Sequence, residues 1–202
     1  AGTAVIVAGQ HPGFLGGPLH TVFKALSAVA AARHYRIATG RPCVPVFWVA
    51  ADDHDFDEVR DALFPAPGGG EVAFRFPGEA DRRPLEDYAV DGAALEILEA
   101  ASRHFEGRRF SEKTRGLIEL YRSRGFAGGF AAMIADLLGH TGLLVLNPVA
   151  IRPMAGRIFR GAIEEPRKIL GLVEAGRAEV EARGMKPLVA ERQPIFLVRD
   201  GK

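Results

Sequence analysis

The stretch AVIVAGQHPGFLGGPLHTVFKALSAVAAAR, Ala4 to Arg33, constrains the chain most, because strand, glycine loop and helix signals follow one another there without a gap. Val5, Ile6, Val7 and Ala8 form a continuous apolar run ending at Gly9, the pattern of a strand buried on both faces of a parallel sheet. Gly9, Gly13, Gly16 and Gly17 crowd the loop that follows, so its backbone can take positive φ and come close to a ligand. Pro18 suits the first helical position with Gly17 as N-cap, since the N–H it lacks would be unpaired there anyway. The amides of Leu19 and His20 would then face the loop with the positive end of the helix dipole behind them. That is an anion site.

Leu19, Val22, Phe23, Leu26, Val29 and Ala30 recur at helical spacing, which predicts a helix to about Ile37 that buries this face. The chain turns at Thr39-Gly40 and enters a second apolar run, Val44 to Ala51. A helix between two such runs is the crossover of a βαβ unit, so the strands are expected to be parallel, with their carboxyl ends on one side. The second strand runs into Asp52, Asp53, His54, Asp55, Phe56, Asp57 and Glu58. Acidic groups and a histidine therefore meet the glycine loop at the edge where open α/β sheets bind ligands. Asp53 or Asp55 is expected to cap a helix through Val59 to Phe64, which accounts for one carboxylate and leaves the others.

PAPGGG, Pro65 to Gly70, reads as a hinge, and EVAFRF, Glu71 to Phe76, as a half-exposed strand. Residues 84–142 hold three helical segments broken at Gly107 and Gly125, read as an insertion forming a lid or side wall. GLLVLNP, Gly142 to Pro148, reads as a third buried strand with Asn147 on the ligand edge. Helices from about Met154 to Glu164 and from Pro166 to Arg183, with Gly184 as cap, precede a strand-like PLVAERQPIFLV, Pro187 to Val198. The expected organisation is a first half of an α/β core over 1–83, a helical connective insertion over 84–142 and a second half over 143–202. The first strand has no lead-in, and Asp200-Gly201 is a hairpin turn without a return strand, so a fragment of a longer polypeptide is expected.

Of the 202 residues 48% are hydrophobic, enough for a core, and the net charge of +1 favours neither nucleic acid nor an anionic membrane. A single cysteine, Cys43, rules out a disulfide scaffold and suits a small buried hydrophobe. With no spanning stretch and no signal segment in the sequence, a cytoplasmic location is expected.

The glycines have the wrong spacing for G-x-G-x-x-G, and no Walker lysine follows, which disfavours a dinucleotide or P-loop site. Consecutive residues of one loop seldom converge on an ion, so no protein-held metal is expected from DDHD. Mg2+ carried in by a nucleotide needs only one or two carboxylates. His54 has a bland alternative as a hydrogen-bonded edge residue. His20 and Lys24, four apart on one helix face with Thr21 beside them, are placed to neutralise phosphate oxygens.

GQHPGFLGGPLHTVFKALSA, Gly9 to Ala28, and RPCVPVFWVAADDHDFDEV, Arg41 to Val59, resemble the bacillithiol biosynthesis cysteine-adding enzymes, with weaker similarity over Phe126 to Pro148 and Gly184 to Val198. The resemblance implies a Rossmann-like parallel sheet of the nucleotidylyl transferase type with a helical connective insertion. It puts Gly17, Pro18, Leu19 and His20 at the position of a HIGH-type motif. It implies ATP-dependent joining of the carboxyl of L-cysteine to the amino group of glucosaminyl-malate, and homodimers of the longer family members through a coiled coil absent here. His11 and His20 stand where glutamine and tyrosine are expected, and Asn147 where an aspartate is. In this reading His20, Asp53, His54 and Asp55 carry catalysis, while Gly9, Gln10, His11, Gly16, Gly17, Pro18, Thr21, Lys24 and Asn147 bind nucleotide and substrates. The loop amides, His20 and Lys24 would hold phosphates, and Asp53 and Asp55 the incoming amine. A metal-assisted hydrolase using DDHD and a non-catalytic nucleotide-binding module are the rival readings.

Overall fold

A computed structural model describes residues 2–188. The elements run β1 (Ala4–Gln10), α1 (His20–Thr39), β2 (Cys43–Val49), α2 (Phe56–Val59), β3 (Asp61–Pro65), β4 (Glu71–Arg75), α3 (Gly92–His104), α4 (Ser111–Leu138), β5 (Leu144–Leu146), α5 (Pro148–Glu164) and α6 (Pro166–Ala182). The class is α/β: β1, β2 and β5 form one parallel sheet in the order β1-β2-β5, and β3 and β4 a separate antiparallel pair. The chain divides into two compact units at Ala150 and Ile151.

β1 and β2 pair in parallel over their whole length, Ala4 opposite Cys43 through Gln10 opposite Val49. Only β2, flanked on both sides, buries alternate residues fully, including Cys43, Phe47 and Val49. β1 and β5 lie at the edges of the sheet among the described residues, and Val5, Val7 and Leu144 are each more than half exposed. The expectation that the first strand is buried on both faces, and that the third is a buried strand, is therefore corrected. An apolar run records the neighbours a strand can accept, and those neighbours are not among the described residues.

α1 also turns a different face inward than its large side chains suggest. Thr21, Ala25, Ala28 and Ala32 are buried and Val22 and Val29 are half-buried against the core, whereas Leu19, Phe23 and Leu26 are exposed. Small residues let the helix backbone lie close against the strands, and bulkier ones on that face would hold it away. The helix ends where Gly40 takes a left-handed conformation, φ 65°, and donates its N–H to the Arg36 carbonyl at 3.0 Å.

No helix extends over Val59 to Phe64. α2 stops at Val59 and the chain enters β3, which pairs with β4 from Asp61 opposite Arg75 to Pro65 opposite Glu71. The glycines of PAPGGG, all at positive φ, close this hairpin rather than forming a hinge. Alternation decides the matter: Ala62 and Phe74, facing each other across the ladder, are both buried. At the open end of the ladder Arg75 donates twice to the Asp61 carboxylate, at 2.7 Å each, and this pairing holds the Asp61 carboxyl below its usual range.

The helical segment is part of the core. Tyr121, Phe126, Phe130, Met133 and Ile134 of α4 are buried, and the Phe130 ring lies 6.4 Å from that of Phe47 on β2. Gly107 breaks the path between α3 and α4, and Gly125, at φ 77°, interrupts α4 just before the residues that enter the core. The loop after β1 joins the same cluster. Phe14 is fully buried, edge-on to Phe76 at 5.2 Å and to Tyr121 at 5.8 Å, and parallel to Phe126 at 6.3 Å.

Tyr121 fixes the loop a second way. Its hydroxyl donates to the Gly13 carbonyl at 2.6 Å and accepts the Gly16 N–H at 2.9 Å. Burial pushes this phenol far above its ordinary range, so it keeps its proton and remains a donor. Room for the ring comes from Gly129, where a Cβ would lie 2.5 Å from the Tyr121 Cα.

From Ile151 the second unit comprises the rest of α5 and α6. Pro166 occupies the first turn of α6, and Gly184 follows its C-cap Arg183 at φ 75°. The strand expected over 187–198 and the turn at 200–201 lie, except for Pro187 and Leu188, outside the described residues.

Two substitutions test this packing by urea unfolding. Gly129→Ala should destabilise the protein by about 1–3 kcal/mol through overpacking against Tyr121. Tyr121→Phe should also destabilise it, by about 1–3 kcal/mol, because it removes the buried hydroxyl that bonds both the Gly13 carbonyl and the Gly16 N–H. A change below experimental error in both would show that the loop is held by other contacts.

Candidate functional site

The parallel register brings the carboxyl ends of β1 and β2 together. Gln10 lies opposite Val49, and its carbonyl accepts the Ala50 N–H at 3.0 Å. The next residue along β1, His11, reaches Asp53, with Nε2 2.9 Å from Oδ2. Asp53 is held for this contact by its own loop: Oδ1 accepts the amides of His54 at 2.6 Å and Asp55 at 3.2 Å. The Asp53 carbonyl takes the Leu85 N–H at 2.8 Å, and buried Phe56 anchors the far side of the loop.

Asp55 stands at the N-cap position of α2, yet its side chain makes no capping bond. A carboxylate oxygen of Asp55, one of Asp53 and a ring nitrogen of His11 all lie within 4.8 Å of one another. The exposed His54 ring sits 3.8 Å from each of the two carboxylates. Further along, Asp57 is paired with Arg60 at 3.0 Å.

On the α1 side of the same edge, the Lys24 ammonium donates to Gln10 Oε1 at 2.6 Å. Lys24 and His20 line a groove of about 430 Å³ together with Ile6, Val7, Ala8, Phe23, Ser27 and Ala28. Gln10 is thus the link: its side chain holds Lys24, and its neighbour His11 holds Asp53. Thr21 lies under the first turn of α1, fully buried, and its hydroxyl has no hydrogen-bond partner. A Cβ on Gly17 would lie 3.8 Å from Thr21 Oγ1.

The glycines do different work from that expected of a ligand loop. A Cβ on Gly9 would stand 2.9 Å from the Trp48 carbonyl oxygen, so Gly9 serves the close approach of β1 to β2. A Cβ on Gly13 would lie 2.5 Å from the Gly17 Cα, and Gly16 and Gly17 adopt φ 98° and 65°. Their amides are already engaged: Gly16 donates to Tyr121 and toward Gly13, and Gly17 donates to the Phe14 carbonyl at 3.1 Å. Pro18 and Leu19 follow as exposed residues, with Leu19 rather than Gly17 at the N-cap position of α1. The amides of Thr21 and Val22 in the first turn of α1 are taken as well, by the Pro18 and Leu19 carbonyls at 2.9 and 3.1 Å, so the polar side chains that an anion would meet along the groove are Lys24 and His20.

Asn147 does stand at the carboxyl end of β5, where its side chain is committed. Oδ1 accepts the Val149 N–H at 3.0 Å, which starts α5 at Pro148 rather than near Met154, and Nδ2 donates to Glu86 Oε2 at 2.8 Å. Glu86 is a residue that periodicity does not single out. It arrives through its backbone, donating its N–H to the Ala51 carbonyl at 2.9 Å. Tyr121 was readable only as one apolar helix position, with no local signal for its hydroxyl's partners. An apolar cavity of about 570 Å³, lined by Leu15, Leu63, Phe64, Phe105, Ile118 and Met133 among others, lies behind the loop and holds no titratable side chain.

Asn147→Asp separates the two functions of that side chain. It keeps the oxygen that accepts the Val149 N–H but sets a carboxylate against Glu86. Unfolding titrations should show a loss of about 1–2 kcal/mol at neutral pH. The loss should shrink as pH falls through the carboxylate range, where a proton shared by the pair restores a donor. A pH-independent loss would place Glu86 elsewhere.

Comparison with known proteins bears on what this edge serves. The family described as bacillithiol biosynthesis BshC, N-terminal Rossmann-like domain, matches residues 1–202. A Geobacillus kaustophilus protein named "Putative cysteine ligase BshC" is 31% identical over 193 residues, covering 93% of this chain and 35% of its own length. Proteins of the same name from Bacillus licheniformis and Heliobacterium modesticaldum are 28% and 29% identical, covering 99% and 100% of this chain and 39% of their own lengths. The chain therefore spans little more than a third of these curated relatives. No helix among the described residues is long and apolar enough to cross a membrane. With a match over its whole length, and with the parallel sheet that the match requires, the chain belongs to the BshC family through its N-terminal Rossmann-like domain.

Proposed function

We propose that this chain is the nucleotide-binding part of a cysteine ligase of bacillithiol synthesis, joining the carboxyl of L-cysteine to the amino group of glucosaminyl-malate. One observation carries the reading: the β1–β2 register puts a cationic group, Lys24 on Gln10, and an acidic group, Asp53 on His11, on adjoining residues of one edge. Amide formation from a carboxylate needs both. The carboxylate must be given a leaving group while anionic oxygens are held, and the attacking amine must lose a proton.

The residues present fit ATP on the cationic side. The buried, unpartnered Thr21 hydroxyl is an orphaned group at the start of α1, where the amides of Thr21 and Val22 already donate to the Pro18 and Leu19 carbonyls. Bound ATP, with the Mg2+ it carries, supplies the leaving group that a carboxylate lacks. Lys24 and His20 hold anionic oxygens along the groove beside β1. Asp53 and Asp55 attract the ammonium of the incoming substrate and accept its proton, with His11 fixing the position of Asp53 and His54 in reach of both carboxylates. Asn147 holds β5 and Glu86 in place at the same edge. The longer family members would form homodimers through a coiled coil outside this chain, and the reaction is that of the longer protein.

Calorimetric titration of this chain with MgATP, with Lys24→Ala and His20→Ala beside it, tests the cationic half. Saturable binding weakened at least about tenfold by Lys24→Ala is expected, in line with loss of a charge-assisted contact. Mass spectrometry of the full-length protein with ATP, L-cysteine and glucosaminyl-malate tests the whole. Binding without product would favour a non-catalytic module, and absence of nucleotide binding would remove the ligase reading from these residues.

A further inference from the structure

The notable feature of the acidic edge is that its convergent donors are not the consecutive DDHD residues. Three donors meet there: Asp53 and Asp55 from the loop after β2, and the His11 imidazole from the end of β1. His54 stands outside the group, in a side position 3.8 Å from both carboxylates. We propose that His11, Asp53 and Asp55 form a binding site for a divalent first-row transition ion, held by the protein itself and independent of any nucleotide.

The imidazole distinguishes this cluster from a solvated acidic run. Mg2+ prefers oxygen donors alone, whereas one nitrogen and two carboxylate oxygens suit Mn2+, Fe2+ or Zn2+. The His11 Nε2–Asp53 Oδ2 distance of 2.9 Å matches the spacing of adjacent donors on an octahedral ion with bonds of about 2.0–2.2 Å. Asp53 cannot swing away, because its other oxygen accepts two backbone amides. Such outer bonds orient a ligating carboxylate. Asp55 has to close inward from a separation of up to 4.8 Å, and its half-exposed, uncapped side chain is free to do so. Three protein donors leave coordination positions for water or substrate, as in catalytic rather than structural sites, and an ion held there takes the place that the ammonium of the incoming substrate has in the reading above. The sequence argument against a protein-held metal assumed donors from one loop, and the register of β1 and β2 supplies the one it lacked.

The probe is Mn2+ alone, added to the tag-free chain without nucleotide and followed by calorimetry and by paramagnetic broadening of amide NMR signals. The expected result is one saturable site, with broadening centred on His11 and 53–55, weakened at least about tenfold by His11→Gln and by Asp53→Asn. His54→Gln should leave it within about twofold, and Mg2+ should compete poorly. Circular dichroism confirms that each variant is folded, and His11→Gln, at a partly exposed position, decides alone if Asp53→Asn is not. No saturable binding, binding indifferent to His11→Gln, or broadening centred on Asp57 and Glu58 would overturn the proposal. Because nucleotide is absent, such a failure leaves the ATP titration to be judged separately.

Discussion

The hydroxyl of Tyr121 makes two hydrogen bonds to a loop more than a hundred positions earlier in the chain, and much of the architecture follows from them. They fasten the turn between β1 and α1 to the helical layer. With the turn fixed, Phe14 can fill the aromatic cluster shared with Phe76 and Phe126, and α1 leaves at a set angle toward the sheet. Gly129 on the next turns of α4 is the local condition for all of it, since any side chain there would occupy the space of the tyrosine. A buried hydroxyl with both its donor and acceptor capacity met is worth keeping rigid; one left unmet would be costly.

This changes what the glycine loop is for. A glycine-rich turn between strand and helix ordinarily suggests backbone amides aimed at phosphate, and the chain's first turn has that composition. Here the glycines let two pieces of backbone cross closely, at Gly13 against Gly17 and at Gly9 against Trp48, and the amides of Gly16 and Gly17 are used up inside the protein. In the function proposed above, anionic oxygens are met one step further along the chain, by Lys24 and His20. The acidic capacity sits across Gln10, around Asp53.

How much of this was legible in the sequence depended on how local the cause was. The parallel pairing of β1 with β2, and the gathering of Gln10, His11 and Asp53 at one edge, follow from an apolar run, a helix and a second apolar run, all short-range signals. The buried face of α1 was misread because large side chains imply burial only when there is room, and here alanines were selected by the closeness of the sheet. Val59 to Phe64 was misread as a helix because its partner strand, beyond three glycines, is what makes it a strand. Glu86 and Tyr121 carried no local mark at all: each matters through a partner distant in sequence. His11 lies between these cases: its place on the edge is legible, while its contact with Asp53 comes from the register of β1 and β2.

Hydrogen exchange at the amides of Gly16 and Gly17, followed by NMR in the native state, tests the closed loop most directly. If Tyr121 and Phe14 hold the turn as described, both amides should exchange as slowly as those in the middle of β2, through global rather than local opening. Exchange at the rate of an exposed loop would mean that the turn is open to solvent. The glycines would then be donors for a ligand after all, and the account of the core built around Tyr121 would be wrong.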